Sequence, residues 1–513
     1  NAAATLAIMG SISISMFLGI TYLARELEVR VREGFEGASV LAQIGQTVFG
    51  GGFPFYLLQG FTAGILILAA NTAYQDFPRL SAILARDRFM PSQFRNRGDR
   101  LVFSNGVLVL AVLACVLIYV FDANLTRLIQ LYVVGVFTAF TLSQAGMVRR
   151  WMRLREGRWL RSAIINGIGA ATTGVVLVIV TITKFARGAW IVITAMPIII
   201  LFFLAVNRHY ARVSQMLRAR RLTADQEARN TFIFLVKDLD TATLDAVSYL
   251  RALRPEVVHP MYMGVPERFA ETAAAWETTA PRLGRLQLLE EGDDKLLRAL
   301  RAYIQAIPRR PGDFVTVVIA EELRGRSWLQ FVRDRKALRL KTSLLFEPGV
   351  VVTDVPLVPE EMEIASAHME HPVEPERSVV LVPVSAVHDA TVRALIYAKS
   401  LRPTRLEGMF FVSDPEETES VIDEWHERRI DVPLVLVEAP FREFGEPMLS
   451  EIRKYTRNGD TIVTVVLPEF IPAHWWENLL HNQTAFYFKR LLLFEPNVVV
   501  TSVPFHLRTP EVP

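Results

Sequence analysis

The sequence predicts an all-helical, multi-span membrane domain followed by two α/β domains built on parallel sheets. Three observations carry that expectation. Six apolar segments, each long enough to cross a bilayer, fill the first part of the chain. The charge changes character where they end: residues 1–210 hold 19 basic and 9 acidic residues, a net +10, and the remainder nets −7. Finally, "LLFEPGVVVTDVP" (Leu344–Pro356) returns as "LLFEPNVVVTSVP" (Leu492–Pro504), 148 positions later.

The apolar segments run Ala3–Leu23, Phe53–Gln75, Leu101–Phe121, Leu128–Val148, Ser162–Thr183 and Gly188–Asn207. Their flanks orient them. Arg79–Arg100, Arg149–Arg161 and Arg208–Arg221 contribute 17 basic residues, against 6 in the alternate loops. Basic loops stay in the cytoplasm, so the first span runs from inside to outside and the remainder of the chain is cytoplasmic. The protein is expected in the cell membrane as a multi-pass chain. Basic residues confined to short loops give no support to nucleic-acid binding. The chain opens almost directly in an apolar span at Asn1, which suggests an N-terminal truncation. A single cysteine, Cys115, excludes an internal disulfide.

Between the first two long spans, Glu26–Gly52 is too polar to cross. Its "ASVLAQIGQTVF" part has helical spacing and reads either as a surface or re-entrant helix or as an ordinary loop. Polar residues inside spans are the candidates for a transport pathway. Thr62 lies near mid-depth of the second, Asn71 and Thr72 crowd its cytoplasmic end, and Thr138 and Thr141 share a face of the fourth. The competing reading is local backbone hydrogen bonding. Gly167, Gly169, Ala170 and Gly174 in the fifth suit close helix packing.

The soluble half alternates strand and helix. "TFIFLV" (Thr231–Val236) suits a buried parallel strand, and Thr241–Pro255 a helix with Thr241 as N-cap and Pro255 as stop. Strands at Val257–Gly264, Phe314–Glu322 and Ser343–Pro356 and a helix at Asp294–Ile307 complete a first unit. Ser378–Val384, Asp389–Pro403 and Ile462–Phe470 repeat it in the same order, so the unit is duplicated. The expected organisation is a membrane domain over 1–210, a connector over 211–228, a first α/β copy over 229–358, a Pro- and Glu-rich linker over 359–377 and a second copy over 378–510. The copies disagree beside the repeated strand, where His474, Trp475, His481, Asn482 and Gln483 replace Arg326, Ser327, Arg333, Asp334 and Arg335. Amide and indole groups suit a regulatory ligand or an interface, so this is the candidate control site.

"AANTAYQDFPRLSAILARDRFMPSQFRNRGDRLVFSNG" (Ala69–Gly106) resembles the segment after the eighth helix of the amino acid–polyamine–organocation (APC) superfamily of permeases. "TKFARGAWIVITAMPIIILFFLAVNRHY" (Thr183–Tyr210) and His474–Leu507 resemble the KimA-type potassium transporters of that superfamily. The resemblance implies the second half of a LeuT-like fold: the six spans match the seventh to twelfth of twelve helices, and the helices that hold the main ion site precede Asn1. No ion ligand carries over. It implies a secondary transporter, with potassium and a proton as transported species, lipid around it and no resident cofactor. The soluble units resemble universal-stress-protein-like domains. In the family the cytoplasmic part joins a homodimer and is linked to inhibition by cyclic di-AMP. Neither copy has the Gly-rich phosphate loop of the nucleotide-binding relatives, which disfavours tight ATP binding. An amino acid or polyamine permease of the same superfamily is the alternative, and a membrane-tethered sensor a second one. An enzyme is not expected, since no HExxH, Walker A or GxSxG motif and no metal-ligand set appears.

Overall fold

Long apolar helices come first along the chain and one continuous sheet second, in a computed structural model that describes residues 2–29, 39–95, 104–185, 188–218, 222–224, 226–289, 296–322, 335–357, 375–413, 415–439, 444–471 and 483–506. Among the described residues, five helices have the length and apolarity to cross a membrane. They are α1 (Ala2–Glu26), α3 (Phe53–Arg86), α5 (Leu125–Leu154), α6 (Trp159–Lys184) and α7 (Ala189–Arg218). The third expected span is the apolar helix α4 (Ser104–Val120), 17 residues long over its described part.

One compact unit holds α1, α2 (Val40–Phe49), most of α3, and α4. The helical spacing expected after Glu26 is met by α2, whose first turn is capped by Ser39 accepting from the Ala42 amide at 3.2 Å. In α3, Pro78 lies inside the helix, and α4 crosses there with Gly106 against it: a Cβ on Gly106 would fall 2.8 Å from the Pro78 ring. Only a glycine admits that approach.

The second unit contains α5, α6, α7 and the whole soluble region. The α5–α6 hairpin is tightly packed. Thr141 and Thr173 share a hydroxyl hydrogen bond of 3.1 Å, and Gly169 and Gly174 lie against Gln144 and Thr141. The glycines expected to pack helices therefore do so in part.

The soluble region is a ten-stranded sheet in the order β3-β2-β1-β4-β5-β10-β9-β6-β7-β8. The first copy supplies β1 (Asn230–Val236), β2 (Val257–Tyr262), β3 (Gln287–Leu288), β4 (Phe314–Glu322) and β5 (Val350–Leu357). The second supplies β6 (Arg377–Val384), β7 (Arg405–Val412), β8 (Leu434–Glu438), β9 (Thr461–Ile471) and β10 (Val498–His506). Pairing is parallel within each copy, as the strand–helix alternation predicts. Central strands are buried along most of their length, mainly apolar with a few buried threonines.

Three local expectations are corrected. The two copies do not form separate sheets: β5 and β10 join antiparallel, with Thr353 opposite Thr501. Asp240, not Thr241, caps α8 (Thr241–Leu253), because its carboxylate reaches the Thr243 amide at 2.8 Å. And Ser343–Leu345 end a helix, α11 (Arg335–Leu345), rather than starting a strand, with Gly349 at φ +74 turning the chain into β5. The intervening helices of the first copy are α9 (Phe269–Thr279) and α10 (Leu296–Ala306). Those of the second are α12 (Asp389–Ser400), α13 (Pro415–Glu427), α14 (Gly445–Thr456) and α15 (Gln483–Leu492).

The β5–β10 seam is a local two-fold axis. Thr353 and Thr501 are equivalent residues, and their hydroxyls meet at 2.9 Å with no exposure. Tyr397 of α12 reaches Thr316 of β4 at 3.1 Å, and its counterpart Tyr249 of α8 reaches Thr464 of β9 at 3.5 Å. Each copy thus inserts a buried tyrosine into the other. Burial pushes both phenols above their ordinary range, so the hydroxyls stay neutral and meet threonine hydroxyls. A buried hydroxyl left without its partner costs about 1–3 kcal/mol. Thr353→Val and Thr501→Val are therefore each expected to destabilise the tail by that order. The double variant should cost less than the sum of the singles, because the shared bond is lost only once. Thermal or denaturant unfolding of the four proteins in detergent measures the cycle, and simple additivity would contradict the shared bond.

Candidate functional site

Thr62 donates to the Leu58 carbonyl at 2.8 Å, Thr72 to Leu68 at 3.2 Å, Thr138 to Val134 at 2.7 Å and Thr141 to Phe137 at 2.7 Å. These are bonds within each residue's own helix, and Thr141 also faces Thr173 in the α5–α6 interface. Asn71 is exposed on α3. Thr62, Asn71 and Thr72 belong to the first compact unit, Thr138 and Thr141 to the second. His474, Trp475, His481 and Asn482 lie outside the described residues, and of Gln483 only the backbone, at the start of α15, is described.

What the structure adds is a joint between the last membrane helix and the second α/β copy. The stretch expected to be a plain connector begins inside α7, which continues to Arg218. Val213 and Leu217 on its last turns bury against Ala390 at the start of α12, with Met216, Phe470 and Phe505 around them. On the same helix, the Asn207 amide donates to the Asp87 carbonyl at 3.4 Å, and the Tyr210 hydroxyl accepts from the Ser92 amide at 3.3 Å. One rigid helix therefore holds the segment following α3 at one level and the tail at another. Val213, Met216 and Leu217 follow helical i, i+3, i+4 spacing, the signal that marks such a face within a basic stretch.

The joint sits at the carboxyl ends of β6 and β9, where helices leave the sheet in opposite directions and α/β folds form their crevice. His388 caps α12, its Nδ1 accepting from the Thr391 amide at 3.2 Å, and stacks edge-on to Phe470 at 5.5 Å. Burial lowers its pKa to about 4, and the Arg428 charge adds to the effect, so the ring is neutral and free to accept. Next to it, Asp389 is fully buried and held by Arg428 at 2.9 Å. The equivalent positions in the first copy are Asp240, Ala242, Glu322 and Leu357: acidic where the second copy is aromatic.

On the opposite face of the seam, Lys341 is buried between Glu321 at 2.6 Å and Asp354 at 2.9 Å. Burial works against its charge, but the two carboxylates outweigh it and hold its pKa above the ordinary lysine value. Its counterpart Lys489 pairs with Glu469 alone, at 2.7 Å, since Ser502 replaces Asp354. Beside it, Asp354, Phe486, Lys489, Arg490 and Leu493 line a small apolar pocket. Among the described residues no group of His, Cys, Asp and Glu is arranged to hold a metal.

Across the seam the copies also differ in charge. Arg393 donates to the Pro504 carbonyl at 3.2 Å and lies over the Phe314 ring, while its counterpart on α8 is Asp245. Burial raises the Asp245 pKa to about 6. Its folded pKa exceeds its unfolded one, so the charge penalises the folded state above about pH 6 and not below about pH 4. Asp245→Asn is expected to stabilise the tail at neutral pH by roughly 1–3 kcal/mol and to have no such effect at pH 3.5. Unfolding at the two pH values measures this; equal effects at both would show that desolvation is not the cause.

Comparisons with known proteins follow the same division. Residues 1–205 match the amino acid permease family. Residues 228–357 and 376–505 each match the KimA potassium transporter C-terminal domain, together just over half of the chain. The chain is 32% identical to the potassium transporter KimA of Bacillus subtilis over 359 residues, 69% of this chain and 58% of that protein. The match thus spans less than two thirds of the relative. A crystal structure of the cytoplasmic domain of a prokaryotic cation chloride cotransporter aligns over 53% of this chain and 95% of its own at 10% identity, with a TM-score of 0.34, too low to argue from. A permease-type set of membrane helices joined to two consecutive copies of the KimA tail places this chain in the KimA potassium transporter family, as a multi-pass membrane protein with a cytoplasmic C-terminal region.

Proposed function

We propose that the chain acts in a secondary active transporter that takes up potassium together with protons, with the duplicated tail controlling it. The observation that carries this reading is the covalent union of permease-type helices with two KimA-type tail domains. Thr62, Asn71, Thr72, Thr138 and Thr141 are the positions here from which a pathway would be lined. An amino acid or polyamine substrate is the second reading, favoured by the family to which residues 1–205 belong. Each α/β copy is taken as a universal-stress-protein-like unit. Cyclic di-AMP is the proposed regulator, and the pocket at Phe486, Lys489 and Arg490, which follows His474–Gln483 in the sequence, is where it would bind. A homodimer through the tail would use β8, because β5 and β10 are consumed within the chain and β8 is left as an outer edge.

The control reading has a mechanical route. The crevice of the second copy is filled by the end of α7, so that copy serves as a docking module. Ligand binding biases transport only if it favours one arrangement of the α7 joint.

Two measurements test the proposal. Uptake by the full-length natural protein in proteoliposomes is expected for potassium or rubidium, driven by an inward proton gradient. Uptake of an amino acid without any alkali cation would replace the leading reading with the second. Leu217→Asp is expected to abolish regulation by the tail while leaving the membrane part folded, with Leu217→Ala intermediate. Unchanged regulation in both variants would remove α7 as the route.

A further inference from the structure

The three basic cytoplasmic loops are not used alike. The segment after α3 is held by α7 through Asp87 and Ser92, and the end of α7 is docked on α12 through Val213 and Leu217. The hairpin between α5 and α6 has neither kind of contact. It carries Arg149, Arg150, Arg153, Arg155, Arg158 and Arg161 against a single acid, Glu156, a net charge of +5 in 13 residues. All six arginines are exposed, and among the described residues none has a carboxylate partner. Arg155 bonds only a backbone carbonyl, that of Met152 at 3.4 Å, and lies over the Trp159 ring at 5.7 Å.

Guanidinium groups crowded this way repel one another, and no carboxylate among the described residues neutralises them. Apolar groups are interleaved with them. Met152, Leu154 and Leu160 are exposed, and Trp151 and Trp159 flank the turn. The hairpin joins two membrane-length helices, so its tryptophans stand where the bilayer meets water. Cations, exposed apolar side chains and indoles at that level together match the phosphate headgroups and glycerol region of an anionic leaflet. Orientation by the positive-inside rule needs only charge. It does not need aromatic and apolar groups alternating with arginines that the protein leaves unpaired.

We propose that the Arg149–Arg161 hairpin is a binding surface for anionic phospholipid headgroups, anchoring the α5–α6 pair to the cytoplasmic leaflet. The arginine forks take the phosphates, and Trp151 and Trp159 fix the depth. A basic residue at such a surface contributes roughly 1 kcal/mol, about a five-fold preference each before saturation and screening.

The test uses the whole chain in vesicles in which a brominated lipid, either phosphatidylglycerol or phosphatidylcholine, is present at equal mole fraction. Bromine quenches tryptophan on contact. Stronger quenching by the anionic lipid is expected, weakened by salt and absent in W151F/W159F. R153Q/R155Q/R158Q/R161Q is expected to lower the preference at least about ten-fold, and the corresponding four Arg→Lys changes to retain most of it. Because arginine loss can alter topology, a single cysteine at Glu156 in a Cys115→Ala background reports the side it faces. If the glutamine variant inverts, R155Q/R158Q in the correct topology is read instead. Equal quenching by the two lipids, or a preference surviving in the correctly inserted glutamine variant, overturns the proposal. So does a preference abolished by excess inorganic phosphate at constant ionic strength, which would indicate a small-anion site.

Discussion

The pairing of Thr353 with Thr501 is the constraint on which the soluble region depends. Two equivalent residues of a duplicated sequence face each other only on a two-fold axis, and an axis through β5 and β10 requires those strands to run antiparallel. Everything around the seam obeys the same operation. Tyr249 and Tyr397 cross it in opposite directions, each ending on a threonine of the other copy. A register shift by one residue would turn both threonines to the opposite face and strand two buried phenols. The hydroxyl network therefore does for the two copies what a buried polar position does in other symmetric assemblies: it fixes how they meet more than how tightly they hold.

Symmetry is then broken where the tail meets the membrane helices. The acidic edge of the first copy, with Asp240 and Glu322, corresponds to His388 and Phe470 in the second, and only the latter set offers an apolar seat for Val213 and Leu217. His388 caps its helix as a neutral ring, where a second carboxylate beside the buried Asp389 would be repelled. Duplication thus gives the second copy a seat for the end of α7 that the acidic positions of the first copy do not reproduce.

Much of this was legible in the chain. The spans, their orientation and the repeat follow from apolar length, arginine placement and a 148-residue offset, all of them local or self-comparing signals. Strand and helix order in each copy followed too, because a run such as "TFIFLV" is buried on both faces whatever lies beside it. The misplacement of Ser343–Leu345 has a local cause: an apolar run before a glycine suits a helix end and a strand equally. The polar residues within the spans could not be ranked, since a threonine hydroxyl bonding its own helix carries the same sequence signal as one lining a path. The α7 joint was overlooked because the arginines around Val213, Met216 and Leu217 mask a short amphipathic face.

The sequence alone determined that two equivalent α/β units follow a set of membrane helices, because periodicity, charge and repetition act along the chain. Only the tertiary structure decided that the units share one sheet, that Thr353 meets Thr501, and that the end of α7 seats on the second copy. Two identical units can stand apart or join edge to edge with the same local sequence. The choice lies in contacts between residues more than a hundred positions apart, where burial and hydrogen-bond partners are set by which surfaces meet.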